Sequence, residues 1–262
     1  MRRSDRIREQ MRELLAEYDS LEKDLAELEE DHFRVVIFGS ARIEPDEPIY
    51  KMVMRLASLL GRLGIDIVTG GGPGLMDAAN AGVKQAHEKG IRSIGLPILL
   101  PNRIEPSNRH LDIKREHSRF STRLDEFMLI SDAVIVAPGG IGTVLELMYV
   151  WQLMQVGLIP RRCVILLGTE FWRGLIEWMG YQQLRRGLIN PDDLDFVNVA
   201  DTEAEVLNLI KAELEKFRTK KSTEGDHPKA AAADTMIKQV EMVQNAPEHH
   251  EALPGTKINN KQ

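Results

Sequence analysis

Three short apolar runs in this chain end at glycine, two of them in clusters placed directly before stretches of helical periodicity, and no other feature restricts the fold so strongly. Arg34 to Phe38 ends in Gly39-Ser40, ahead of an amphipathic stretch near 46–63. Ile65 to Thr69 ends in Gly70-Gly71-Gly72-Pro73-Gly74, ahead of a helical stretch from about Leu75 to His87. Ala133 to Ala137 ends in Pro138-Gly139-Gly140-Ile141-Gly142-Thr143, ahead of a long helical stretch to about Val156. Brief β-prone runs bounded by glycine read as buried strands. Further strands are expected at Ser93–Pro97, at Cys163–Leu167 and near Phe196–Val199, with helices near 117–131, at 171–185 and from Thr202. Strands separated by helices must pair in parallel, so the expectation is an α/β fold with a doubly wound parallel sheet covered on both faces. Ligands in such sheets bind at the carboxyl ends of the strands.

The glycine clusters stand at that end, and their chemistry suits an anion. Glycine lets backbone N–H groups converge without a Cβ in the way. The helix that follows adds its unpaired N–H groups and a partial positive charge. Charge-assisted hydrogen bonds contribute roughly 1.5–3 kcal/mol each, so a few can hold a phosphate without Lys or Arg. Neither large cluster is a Walker A loop, since no Gly-Lys-Ser/Thr follows, and neither spells the dinucleotide pattern with its acidic partner. In Pro138-Gly139-Gly140-x-Gly142-Thr143-x-x-Glu146, the phosphate would be wrapped by Gly139, Gly140, Gly142 and Thr143. Glu146 is one helical turn further in and points to the same mouth. A carboxylate there suits cleavage of an N-glycosidic bond, where positive charge builds on the ribose. Arg123, on the preceding helix, is the candidate to balance the phosphate or Glu146, although Arg115 and Arg119 nearby read as solvated.

Composition narrows the alternatives. The 262 residues carry a formal net charge of -6, which disfavours a general nucleic-acid binder. The N-terminus leads into charged residues rather than an apolar leader, and no apolar run approaches the ~20 residues of a membrane span. A cytoplasmic protein that binds neither nucleic acid nor membrane is expected. One cysteine, Cys163, excludes an internal disulfide and reads as a buried strand thiol. Three zones follow. Residues 1–31 read as a charged helix whose apolar positions Ile7, Met11, Leu14, Tyr18, Leu21, Leu25 and Leu28 alternate four and three apart. That is a coiled-coil seam, roughly 40 Å long, for a partner helix or for folding back on its own domain. Residues 33–218 form the α/β domain, and the polar stretch 219–262 is expected to be disordered.

At the residues just named the sequence resembles the LOG (LONELY GUY) phosphoribohydrolases, also called lysine decarboxylase-like proteins. The resemblance spans about 33–200 and rests on Phe38-Gly39-Ser40, Gly70 to Met76, Ser131-Asp132-Ala133 and the Pro-Gly-Gly-x-Gly-Thr-x-x-Glu signature. The family's upstream Arg, fifteen residues before the Pro, is kept as Arg123. Ser93 to Pro97 and the Leu100-Pro101, Glu105 and Asn108 loop resemble the longer bacterial relatives. The resemblance implies a Rossmann-like dimer, or a higher homo-oligomer, with no metal and no redox cofactor. It implies hydrolysis of cytokinin riboside 5′-monophosphates, or AMP-like nucleotides, to free base and ribose 5-phosphate. It makes Glu146 and Arg123 the catalytic pair, and Gly39, Ser40, Gly71, Gly72, Gly74 and Asn108 further nucleotide-binding positions. Decarboxylation usually needs a pyridoxal phosphate lysine, and these loops contain none. Two departures stand out: Leu124 and Leu145 replace a flanking cation and a flanking carboxylate. They favour altered substrate preference, or a carrier that holds a phosphorylated nucleotide or cofactor without turnover.

Other residues read as structural. Trp151, Trp172 and Trp178 suit core or dimer packing, and Asp132 suits support of the neighbouring loop. Ser40 suits either a turn or a substrate hydroxyl. Gln152 reads as solvated or structural, and the His249-His250 pair as inert.

Overall fold

The computed structural model describes residues 32–99 and 106–223, together with isolated helical positions at 8, 11, 12 and 14–16. Of the heptad seam only Met11 and Leu14 fall among these, and Met11 is exposed. Its other positions, the His249-His250 pair and the polar stretch beyond 223 lie outside the described residues.

Among the described residues, seven parallel strands form one sheet: β1 (Arg34–Phe38), β2 (Asp66–Thr69), β3 (Ser93–Gly95), β4 (Ile113–Lys114), β5 (Ala133–Val136), β6 (Cys163–Leu167) and β7 (Val197–Ala200). Their order is β4-β3-β2-β1-β5-β6-β7. The helices are α1 (Pro48–Arg62), α2 (Leu75–Ala86), α3 (Phe120–Ile130), α4 (Ile141–Gln155), α5 (Thr169–Trp178), α6 (Pro191–Leu194) and α7 (Glu203–Thr223). The chain winds outward from β1 in one direction and then from β5 in the other. The switch point therefore lies between β1 and β5, registered from Val35↔Ala133 to Phe38↔Val136. This is the Rossmann-like sheet expected from the alternating pattern.

Strand alternation divides the core. Val35, Ile37 and Ile67 join Leu56 and Leu60 of α1, Ala78 and Val83 of α2, and Val206, Ile210 and Leu214 of α7 in one buried cluster. Phe38 turns to the opposite face and meets Phe127 of α3 edge-on, with ring centroids 4.9 Å apart. Trp172 and Trp151 are buried, and their indole N–H groups donate to Val136 O at 3.2 Å and Asp193 O at 2.7 Å. Trp178 is 52% exposed instead, so only two of the three tryptophans belong to the interior. Asp132, expected to support the neighbouring loop, instead accepts from Arg34 N at 2.8 Å and ties the start of β1 at the end of the sheet away from the glycine loops.

Four local differences from the sequence reading have physical causes. β4 is a two-residue strand inside what reads as a polar loop, too short to show a period. The helix expected from about 117 begins at Phe120, because His117 is extended: its N–H donates to Pro97 O and its carbonyl accepts from Leu99 N. The helix expected over 171–185 begins at Thr169, and its last turns loosen into a π-helical turn, Met179–Gln183, and a 3₁₀ turn, Leu184–Arg186. α7 continues past Arg218 to Thr223, with the Thr219 hydroxyl donating to Glu215 O at 2.8 Å.

Candidate nucleotide site

Because all the strands run the same way, the loops after β1, β2 and β5 emerge at one end of the sheet, and three contacts lock them together. Ser40 N donates to Pro138 O at 3.1 Å, and Leu75 N donates to Ser40 O at 2.9 Å. Gly74 takes φ +67 and ψ −131, a conformation in effect reserved for glycine, and a Cβ there would sit 2.4 Å from Ser40 O. The Ser40 hydroxyl accepts from Arg42 N at 3.1 Å, so the turn-forming role is observed at this residue. Gly39 packs against Leu75, where an added Cβ would lie 2.9 Å from the leucine Cδ1.

The second loop is held from outside. Gly71 N donates to Thr69 Oγ1 at 2.9 Å, and Gly71 O accepts from Asn108 N at 2.8 Å. The Asn108 amide donates to Gly72 O at 3.0 Å and to Asn80 Oδ1 at 2.9 Å, while its oxygen accepts from His110 N at 3.0 Å. Asn108 thus sets the shape of the loop, with its side-chain groups turned to protein. On the outer side of α2, Asp77 accepts from the Tyr50 hydroxyl at 2.7 Å and meets His110 Nδ1 at 3.0 Å. Burial, and then Asp77, push the Tyr50 hydroxyl well above the usual tyrosine range, so it stays a donor.

In the third loop the glycines divide into two kinds. A Cβ on Gly139 would lie 2.1 Å from Thr143 Oγ1, so this glycine exists to let the buried Thr143 side chain fold beneath it. Gly140 and Gly142 are exposed, and an added Cβ would meet nothing within 4 Å. Gly140 has φ −92, which any residue adopts. Neither packing nor backbone strain therefore requires glycine at these two positions. They flank the start of α4, whose N-cap makes no side-chain hydrogen bond. The first-turn N–H groups of α4 face outward with their partial positive charge, which is the arrangement that binds an anion.

Beside this helix end stands the one predicted side-chain pair. Glu146 on α4 and Arg123 on α3 approach to 3.7 Å between Oε1 and Nη1, with 13% and 11% of their side chains exposed. Arg123 is firmly seated: Nε donates to Leu96 O at 2.6 Å, and the guanidinium lies 5.2 Å from the Phe127 ring centroid. It also rests on Gly70, where a Cβ would fall 2.3 Å from Nη2. Of the departures noted above, Leu124 is buried in the core and Leu145 is 44% exposed beside Glu146.

Sequence reasoning passed over a charged cluster behind Arg123. Glu126, fully buried on α3, pairs with Arg115 Nη1 at 2.7 Å and His117 Nε2 at 2.6 Å. Arg115 is therefore an interior residue and not the solvated one expected. A buried carboxylate requires such partners, because an uncompensated charge there costs several kcal/mol. No local signal marks it, because Glu126 finds its partners on the segment before α3 rather than on its own helix. Cys163 is half-buried, with its thiol pushed up to about 11 by burial. Gln152 is exposed. Among the described residues no three His, Cys, Asp or Glu side chains group closely enough to hold a metal ion, and no helix is long and apolar enough to cross a membrane.

Fold and site together define a Rossmann-like protein with an open, glycine-flanked helix end at the head of α4 and an Arg–carboxylate pair next to it. The family model described as "possible lysine decarboxylase" matches residues 76–210, just over half of the chain, and the protein belongs to that family, the LOG family. A pyrimidine/purine nucleotide 5′-monophosphate nucleosidase of Escherichia coli strain K12 is 32% identical over 125 residues, covering 46% of this chain. That match spans 27% of the Escherichia coli protein. A probable cytokinin riboside 5′-monophosphate phosphoribohydrolase of Oryza sativa subsp. japonica is 29% identical over 157 residues, 60% of this chain and 72% of the relative. Among solved structures, the structural-genomics target TM1055 superposes with a TM-score of 0.53 at 22% identity, covering 69% of this chain and 99% of that one. The molybdenum cofactor binding protein of the phototrophic bacterium Rippkaea orientalis gives 0.52 at 21% identity, covering 71% and 99%. These two likenesses establish the fold alone.

Proposed function

We propose that this protein hydrolyses the N-glycosidic bond of nucleoside 5′-monophosphates, releasing free base and ribose 5-phosphate. The observation that carries the reading is the Arg123–Glu146 pair at 3.7 Å, set beside a helix end whose two outer glycines the fold does not require. In this reading the 5′-phosphate sits on the N–H groups of Gly140 to Thr143. Glu146, one turn further along α4, then lies level with the ribose. Its carboxylate offsets the positive charge that grows on the sugar as the base departs, and orients the attacking water. Arg123 holds that carboxylate in place. The names of the Escherichia coli and Oryza relatives support a nucleotide substrate, with cytokinin riboside 5′-monophosphate and AMP as the first compounds to try.

One observation favours a second reading. Leu145, exposed beside Glu146, stands where the resemblance sets a second carboxylate, and a site with one fewer charge suits a carrier of a phosphorylated nucleotide or cofactor. Incubation with AMP, N6-substituted AMP and adenosine, followed by assay of free base and ribose 5-phosphate, separates the two. Base release from the monophosphates and not from adenosine is the expected result. Tight binding of AMP without any base release would establish the carrier instead. A cytoplasmic homodimer or larger homo-oligomer belongs to the same proposal. Ile141, 91% exposed, and Leu145 on α4 support it as apolar surface next to the site, and light scattering checks it.

A further inference from the structure

A buried polar network lies beneath the second glycine loop, and its direction is fixed by the groups that make it. Asn80 of α2 is fully buried. Its Oδ1 accepts from the Thr69 hydroxyl at 2.7 Å and from the Asn108 amide at 2.9 Å, while its Nδ2 donates to Ser93 Oγ at 2.8 Å. With its proton committed to Asn80, the Thr69 hydroxyl presents a lone pair to Gly71 N at 2.9 Å. Four segments remote in sequence (β2, α2, β3 and the loop carrying Asn108) meet at one amide. Thr69, Asn80 and Ser93 are all 0% exposed. An apolar core would avoid the desolvation of so many polar groups, so the network is explained by what it orients rather than by what it stabilises.

What it orients is the seat of Arg123. Gly70, between Thr69 and Gly71, is the residue on which the guanidinium rests. The Thr69 carbonyl also accepts from Leu96 N at 2.9 Å, and the Leu96 carbonyl accepts from Arg123 Nε at 2.6 Å. Both surfaces that hold the guanidinium, the Gly70 backbone and the Leu96 carbonyl, are thus referred to Thr69, and Thr69 is referred to Asn80. We propose that Asn80, acting through Thr69, is a positioning residue that sets the Arg123 guanidinium at its distance from Glu146. The inference rests on the reading of Arg123 and Glu146 as the reacting pair only for its effect on turnover, and its effect on the seat of Arg123 is measurable separately.

The test compares Asn80→Ala and Thr69→Val with Thr69→Ser in the full chain, well below the melting temperature. Two quantities are read: kcat and KM for AMP, and the hydrogen-exchange rate of the Arg123 Nε–H by ¹⁵N NMR. Asn80→Ala and Thr69→Val are expected to lower kcat by about tenfold or more with a smaller change in KM, while Thr69→Ser stays within about threefold. The Arg123 Nε–H should exchange about tenfold faster in the first two variants and at the unaltered rate in the third. Should Asn80→Ala fail to fold, the Thr69 pair decides alone. If the unaltered protein releases no base from AMP, the proposed function falls while the exchange rates still judge the positioning role. Unchanged exchange at Arg123 with only a lowered Tm would overturn it, leaving a network that is merely structural.

Discussion

Replacing Gly142 by alanine should raise stability and lower ligand affinity together, and both magnitudes follow from the structure. Gly142 is the second residue of α4, its φ lies outside the left-handed region, and a Cβ built there meets no atom within 4 Å. Alanine is favoured over glycine inside a helix by about 0.5–1 kcal/mol, and no clash offsets it here. For a domain of this size that corresponds to a rise of about 1–4 °C in Tm. The new methyl group cannot be neutral for an anion, because helical Cα–Cβ bonds tilt towards the N-terminus, where a phosphate would sit. Losing one charge-assisted hydrogen bond costs about 1.5–3 kcal/mol, or about ten- to a hundredfold in Kd. Melting scans and calorimetric titration with AMP measure the two effects on the same protein. Wild-type AMP affinity in Gly142→Ala would refute the assignment of the cradle, and a lowered Tm would refute the claim that the fold leaves this position open.

Three further outcomes are expected. Glu146→Gln keeps shape and loses charge, so AMP binding should persist while turnover falls by about two decades or more; near-normal turnover in a steady-state assay would remove Glu146 from the mechanism. Asp201 accepts at 2.6 Å from both the hydroxyl and the N–H of Thr169, which lower its pKa, so its stabilisation is present above the unfolded pKa and is lost as pH falls through the folded one. The Tm deficit of Asp201→Asn should therefore be full near neutrality and shrink as pH falls below the ordinary carboxylate range, and a deficit independent of pH would contradict the assignment. Deleting residues 1–30 should leave activity within about a few-fold and lower the oligomeric mass or the Tm, measured by light scattering and melting scans, since a two-position stripe is too narrow to cover a globular domain.

Local chemistry makes the architecture legible in the sequence. A β-prone run, a glycine and a helix repeated along the chain require a parallel sheet covered by helices, because parallel strands need helical, right-handed crossovers; the strand order itself is set by the tertiary structure. The glycine clusters were legible as ligand-facing loops, and Arg123 and Glu146 from chemistry and spacing. Which glycine serves which purpose was beyond that reach. Gly139 is glycine because Thr143 folds under it, Gly74 because of its backbone conformation, and Gly140 and Gly142 for neither reason. The buried Glu126 with Arg115 and His117 was equally invisible, since burial of a charge depends on partners brought from another segment. The same holds for Asn80, which reads as an ordinary polar residue, and for Asn108, expected to bind nucleotide: both emerge as the pins of the second loop. Periodicity and turn chemistry act over a few residues and are written in the order of the chain. The 3.7 Å between Arg123 and Glu146, and the network that holds Arg123 in place, depend on contacts between segments tens of residues apart, and only packing the helices onto the sheet sets those distances.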